Sequence, residues 1–413
     1  MTNPIVPANQ RKAMSRGMLA VMGTQILLVL VGVSWGAMRI QLLREERASP
    51  IPIVEPLTVT PLYDRPEVVS DEQLAVTLDR LKPRLRGPQP KINWVDHALR
   101  FWGVEATFSE PECLSGREMR ELLLDHRTFR DSWGAKERPF LVPDLSGSDP
   151  RFSFRTQSGQ ATASHVDHTL AGLAEVGTPL DYPVLTPAGE FPLRAAFDES
   201  FHEFSLNQRE YEWSALAYIH YLPKSRTWIT SEGQRVSWDL LADRMMRQRL
   251  DQGVCFGFHR LHALVVLIRV DDEHSILSSD ARTKILDHLK DATQRLVTTQ
   301  HADGYWDGSW PGDDWDGPIR PKRGPLGLQA DRLLATGHAL EWWALAPSEV
   351  LPPTETLRNA GHWVVSEIGT LSDQQVNSYY PFLSHAGRAL ALWRGKFPHE
   401  FLPLSERLAS HGE

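Results

Sequence analysis

Between residues 90 and 395 the apolar positions recur with helical spacing, and runs of Val, Ile and Thr with period two are few. Six segments align on a small residue followed by leucine: Trp94–Trp102, His165–Leu173, Tyr211–Ile219, His259–Leu267, Ala335–Trp343 and His385–Trp393. The shared leucines are Leu99, Leu170, Leu216, Leu264, Leu340 and Leu390, at intervals of 71, 46, 48, 76 and 50 residues. A period of about 47 with two longer intervals is the pattern of stacked helix pairs carrying loop insertions. Amphipathic partners fall between the copies, at Gly116–Phe129, Glu190–Phe204, Val236–Leu250, Ser279–Thr299 and Thr354–Ile368. Either Ser70–Arg80 or Leu404–Ser410 completes a sixth pair. Residues 70–413 are therefore expected to be all-α, an (α/α)6 toroid with the aligned copies inside and their partners outside. The residue before each shared leucine is Ala98, Thr169, Ala215, Ala263, Ala339 or Ala389. Small side chains there suit close contact between inner helices.

The N-terminal pattern is different. After a short tail, residues 1–16, no residue from Gly17 to Met38 is charged. At about 1.5 Å per residue this run covers the roughly 30 Å of a bilayer core. It is longer than the apolar region of a signal peptide, and "SWGAMRI" is a poor cleavage site. Residues 17–38 are thus expected to anchor the chain in a membrane by a single pass. Arg11, Lys12 and Arg16 precede the span and Arg39, Arg44 and Arg47 follow it, so basic residues alone do not orient it. The short head favours N-inside, with the body extracytoplasmic. Residues 39–69 hold Pro50, Pro52, Pro56, Pro61 and Pro66 and are expected to form a semi-rigid linker.

A net charge of −8 gives no support to nucleic-acid binding. Cys113 and Cys255 are the only cysteines, too few for a disulfide framework or a closed Cys-only metal site. Fourteen tryptophans fit either packed helix corners or a ring-stacking pocket.

One stretch, Gln300-His-Ala-Asp-Gly-Tyr-Trp-Asp-Gly-Ser-Trp310, matches Q-x-x-x-G-x-W and follows an outer-helix segment. It resembles the repeat of the terpenoid cyclase, squalene–hopene cyclase and protein prenyltransferase superfamily, whose fold is an α/α toroid. The resemblance implies that Gln300, Gly304 and Trp306 are structural, the Gln amide capping a helix end and the indole packing over it. Asp313, Asp314, Trp310 and Trp315 in the same stretch stand as candidate ligand contacts. The cyclase branch needs D-x-D-D; the chain has D-D-W-D and D-D-E-H instead, which argues against cyclase activity. The prenyltransferase branch holds zinc through Asp, Cys and His, for which Cys255, His259 and His262 are the nearest set, on one helix face by spacing. A buried, inert Cys255 is the plainer reading.

The repeat itself carries a chemical signal. Five and two residues before the shared leucines, the copies read Trp94, His165, Tyr211, His259, Ala335, His385 and His97, His168, Ser214, His262, His338, Arg388. Seven of these positions are histidine, of sixteen in the chain. The two long insertions, Asp131–Ser164 and His301–Ala330, lie at the same end of the inner helices, where loop-built sites are common. The histidines read either as helix caps or as the lining of a pocket whose imidazoles a helix N-terminus keeps neutral.

Gly337-His-Ala-Leu-Glu-Trp342 resembles the G-H-x-x-E-W segment of the N-acylglucosamine 2-epimerase and cellobiose epimerase family, also (α/α)6 barrels, and His385-Ala-Gly-Arg388 resembles another of its segments. That resemblance implies His338 as acid/base, Glu341 as its neighbour and Arg388 as a sugar or oxyanion contact. His338, Glu341, His259 and His385 are accordingly the catalytic candidates, and His165, His168, His262 and Arg388 the binding candidates. Three functions stay open: a toroid with a His- and Trp-lined pocket, a carbohydrate-active enzyme, and a non-catalytic envelope scaffold. The cofactor is undetermined, as is the small-molecule, glycan or protein partner.

Overall fold

The computed structural model describes residues 16–47, 51–147, 149–156, 159–208, 210–312 and 324–402. The chain forms two compact units, 1–49 and 50–413. In the first, α1 (Arg16–Arg47) contains an apolar stretch, Ala20–Ile40, of mean hydropathy 1.7 with none of it buried in the protein. By length and composition this helix can cross a membrane. Full-length protein is expected to stay with membranes through a carbonate wash, and release into the supernatant would refute an integral span.

The second unit is mostly helical. In chain order it comprises α2 (Asp71–Arg80), α3 (Ile92–Trp102), α4 (Gly116–Leu124), α5 (His126–Trp133), β1 (Leu141–Asp144), β2 (Arg151–Phe154) and α6 (His168–Glu175). There follow β3 (Pro183–Thr186), β4 (Gly189–Pro192), α7 (Arg194–Glu203), α8 (Glu212–Tyr221), β5 (Thr227–Ile229), β6 (Arg235–Ser237) and α9 (Trp238–Arg247). The last helices are α10 (Phe258–His274), α11 (Ser279–Thr299), α12 (Leu328–Leu345), α13 (Thr354–Thr370) and α14 (Asp373–Leu392). Local chemistry starts many of them. Ser70, Ser115 and Ser372 each close a capping box with Gln73, Glu118 and Gln375, and Asp125 breaks Gly116–Phe129 in two by capping α5.

The strictly all-α expectation is corrected by three antiparallel hairpins, β1–β2, β3–β4 and β5–β6. The segment Glu190–Phe204, expected as one helix, is strand β4 followed by α7, which packs on β2 and β4.

The aligned segments all lie in or at the start of buried helices. α3 packs on α6, α6 on α8, α8 on α10, α10 on α12, α12 on α14, and α14 back on α3. The small residues before the shared leucines are all at most 1% exposed. α4 flanks α3, α9 and α11 flank α10, α13 flanks α12, and α2 packs against both α13 and α14. Leu404–Ser410, the other candidate for the sixth partner, lies outside the described residues.

The proline-rich stretch departs from expectation, because residues 51–69 belong to the body rather than to a free linker. Ile53 and Leu57 N–H groups donate to carbonyls of Tyr221 and His220, Leu62 to Ala344, and Arg65 to Trp393. This strap thus runs across the C-terminal ends of α8, α12 and α14. Those ends leave carbonyls without helical partners, and an extended chain supplies the missing donors.

Candidate functional site

The six mutually packed helices gather seven histidines. His97 of α3, His168 of α6, His259 and His262 of α10, His338 of α12 and His385 of α14 are buried, and His165, just before α6, is partly so. Six of the rings form a closed circuit. Centroids lie 4.5 Å apart for His97–His168, 6.2 Å for His168–His165, 6.1 Å for His165–His259 and 4.9 Å for His259–His338. The circuit closes through His338–His385 at 3.8 Å and His385–His97 at 5.6 Å. Trp213 sits edge-on to His168 at 4.3 Å and to His259 at 4.6 Å.

Of the histidines expected at helix N-termini, His168 and His259 lie in the first turns of α6 and α10, and His165 just before α6. His97 is already in the second turn of α3, and two others lie deeper still. α12 begins at Leu328 and α14 at Asp373, so His338 and His385 lie well inside their helices. Burial, not a helix terminus, keeps these rings neutral: it pushes His97, His259 and His385 well below the usual imidazole range and lowers His338 too.

Carboxylates fix several ring orientations. His168 Nδ1 lies 2.7 Å from Asp96, and His165 Nδ1 2.8 Å from Glu210. Glu341 Oε2 is 2.8 Å from His385 Nδ1 and 3.4 Å from His338 Nδ1. Arg100 also comes within 3.2 Å of His385 Nδ1. The shorter contact joins nitrogen to a carboxylate and therefore requires a proton between them, so His385 is assigned Nδ1–H and leaves Nε2 basic.

One turn further along the helices, charge replaces imidazole. Arg100 donates to Glu341 at 2.8 Å and forms a second ion pair with Glu175; Arg388 donates to Glu341 at 2.7 Å and approaches Glu175 at 3.5 Å. All four side chains are at most 5% exposed. Burial alone would raise the two carboxyls, but Arg100 together with Arg388 and His262 at Glu175, and with His385 and His338 at Glu341, outweighs it and holds both well below the usual range. Two guanidinium and two carboxylate groups leave this layer neutral, as a buried charge set must be. Arg388, expected as a sugar or oxyanion contact, is engaged here in ion pairs with Glu341 and Glu175.

The helix-face set Cys255, His259, His262 does not exist as drawn, since α10 starts only at Phe258. Cys255 (φ 49°) and Phe256 (φ 58°) are left-handed and turn the chain before it. His262 belongs to the ion layer, its Nε2 lying 3.2 Å from Glu175. Cys255 instead meets His259 and His338, with one ligand atom of each within 4.8 Å of the others; His338, Glu341 and His385 form a second such group.

The Gln300–Trp310 stretch is a staple, with two partners exchanged. The Trp306 indole N–H donates to Leu296 carbonyl at 2.8 Å and so caps the last turn of α11. The Gln300 amide donates to the carbonyls of Gly304 and Thr356, tying the loop to α13. Gly304 has φ +102°, and a Cβ there would lie 2.4 Å from the Asn359 carbonyl oxygen. Trp306→Ala is expected to cost about 3–5 kcal/mol in denaturant unfolding; a loss of activity without a loss of stability would instead place this indole in the site. Trp310 is fully buried, stacks on Phe258 at 4.7 Å and donates to the Phe256 carbonyl at 3.1 Å, so it locks the Cys255 turn. Asp313, Asp314 and Trp315 lie outside the described residues.

Five site residues escape the sequence reading of roles: Asp96, His97, Arg100, Glu175 and Trp213. His97 stands in the histidine columns, and Arg100 occupies the same position after its shared leucine as Glu341 does. No family model matches the chain, and no curated protein or solved structure matches it either.

Proposed function

We propose that the body is an (α/α)6 toroid, similar in architecture to the cyclase and prenyltransferase superfamily, carrying an enzyme site of the proton-transfer type. The closed packing order of the six inner helices, with α2 beside α13 and α14, supports the toroid. The single observation that carries the chemistry is Glu341, whose Oε2 lies within hydrogen-bond reach of His385 Nδ1 at 2.8 Å with His338 beside it at 3.4 Å. A carboxylate that fixes Nδ1–H presents Nε2 as a base and stabilises the imidazolium once a proton is taken.

The substrate class is a small hydroxy-carbonyl compound such as a reducing sugar. His385 takes the proton from the carbon beside the carbonyl, leaving an enediolate, and returns it to that carbon. The base is assigned to His385 rather than His338 because its bond to Glu341 is the shorter. Cyclase chemistry has little support: in the D-D-E-H stretch, Asp271 is bound to Arg282 at 2.8 Å and to Leu277 N–H at 2.7 Å, at the far end of α10 from the histidines. The chain is further proposed to be held in a membrane by α1, with the body extracytoplasmic.

The test is solvent deuterium. Full-length protein in D2O with a panel of aldoses and ketoses is expected to incorporate deuterium beside the carbonyl of at least one. No incorporation into any of them would leave a non-catalytic scaffold as the better reading.

A further inference from the structure

We propose that Cys255, His259 and His338 bind a divalent transition-metal ion of the zinc type, with a further coordination position left for water or substrate. Two ligands of one ion can lie no farther apart than two bond lengths, ~4.0–4.6 Å for nitrogen and thiolate on zinc. The three ligand atoms here lie within 4.8 Å of one another, close enough for a small side-chain movement to complete the set.

Two independent features point to a ligand. The Nε2 atoms of His259 and His338 are buried and have no hydrogen-bond partner among the described residues, although the side chains are only 5% and 3% exposed. Such orphaned nitrogens cost free energy unless something binds them. His338 faces Glu341 through Nδ1, the carboxylate–histidine arrangement that orients a metal-bound imidazole and raises its basicity.

The backbone around Cys255 is also held in an unfavourable form. Cys255 and Phe256 take left-handed conformations that cost non-glycine residues about 1–3 kcal/mol each. Gly257 continues the turn at φ +83°, where a Cβ would lie 2.6 Å from the Leu250 carbonyl oxygen. Trp310 closes the turn from outside. Without this turn an α10 extended backward would carry Cys255 on the helix itself, on the His259–His262 side. With it, the thiol joins the space between His259 and His338. The set holds no carboxylate, unlike the Asp, Cys and His of the prenyltransferases.

The ion's part in the reaction, though not its binding, rests on the proton-transfer reading above. An ion here would act as a Lewis acid on the substrate carbonyl and lower the cost of the enediolate, while His385, outside the ligand set, moves the proton.

Cobalt is the probe. Full-length protein in detergent, stripped with a chelator and given Co2+, is expected to hold one ion per chain, with tetrahedral ligand-field bands and a thiolate-to-cobalt charge-transfer band. Cys255→Ser should remove the charge-transfer band, and His259→Gln or His338→Gln should weaken Co2+ binding more than ~10-fold. His262→Gln and His385→Asn should leave spectrum and affinity unchanged. Circular dichroism checks the fold of each variant; should a histidine variant misfold, the charge-transfer band of Cys255→Ser decides. No cobalt retained by the wild type, or a band that survives Cys255→Ser, overturns the site. Cobalt bound as described but no deuterium uptake by any sugar overturns the proton-transfer reading and leaves the ion standing.

Discussion

Glu341→Ala is expected to destabilise the body by about 3–5 kcal/mol, the cost of breaking a buried ion set by removing one member. Glu341 accepts from Arg388 at 2.7 Å, Arg100 at 2.8 Å and His385 at 2.8 Å, and its side chain is 2% exposed. Its removal leaves Glu175 alone to balance two guanidinium groups whose side chains are at most 5% exposed. The loss therefore comes from stranded charge more than from the missing bonds. A second change separates the two. Arg100→Met combined with Glu341→Met restores neutrality with apolar groups of similar volume, and the double variant should recover part of what Glu341→Ala loses. Urea unfolding of the wild type, Arg100→Met, Glu341→Met and the double variant closes the cycle. Strict additivity, or a loss below ~1 kcal/mol for Glu341→Ala, would mean that the layer is not coupled as drawn.

The helices were legible in the sequence because their signal is long. Each of the six aligned helices repeats a small residue and leucine within an apolar run, and Ser279–Thr299 is recovered to the residue. The hairpins were not, because strands of three or four residues are too short for an alternating pattern to register. Only their turns show, as in Pro187-Ala-Gly189. The histidine columns were legible because all copies share one register, and the rings do meet. The same register holds Arg100 and Glu341 in one column, directly after the shared leucines. Buried charge on an apolar face was the available signal for that layer. The partner of Cys255 was not legible. Spacing along one helix offers His262, but the left-handed residues break the helix before Phe258, and His338 arrives from a different helix. Contacts of that kind depend on tertiary packing rather than on any local pattern.

The strap shows the same limit from the other side. Prolines at this density exclude a helix and favour extended chain, and residues 51–69 are indeed without one. Extended chain has two uses, however, as a free spacer or as a donor of backbone N–H groups to helix ends. Composition cannot separate them. The carbonyls of Tyr221, Ala344 and Trp393 decide it, because each receives a strap N–H.

His385→Asn is expected to reduce deuterium uptake by at least ~10²-fold, the scale of a positioned acid–base group, while costing about 1–3 kcal/mol of stability. Asparagine keeps a hydrogen-bond donor near Glu341 at similar size but cannot take a proton near neutral pH. The Glu341 contact is thus retained in part and the chemistry is lost. His97→Asn is the matched control. Its ring is buried 5.6 Å from that of His385, and its Nδ1 is bound to the Asn93 carbonyl at 2.8 Å. It touches the same circuit without a carboxylate to stabilise its imidazolium, so its loss should change uptake only a few-fold. Exchange rates on the most responsive sugar, read together with urea midpoints for both variants, make the comparison. Equal losses of exchange in the two variants would show that the circuit acts through packing. A large loss confined to His385→Asn ties the chemistry to the one imidazole that Glu341 holds at 2.8 Å.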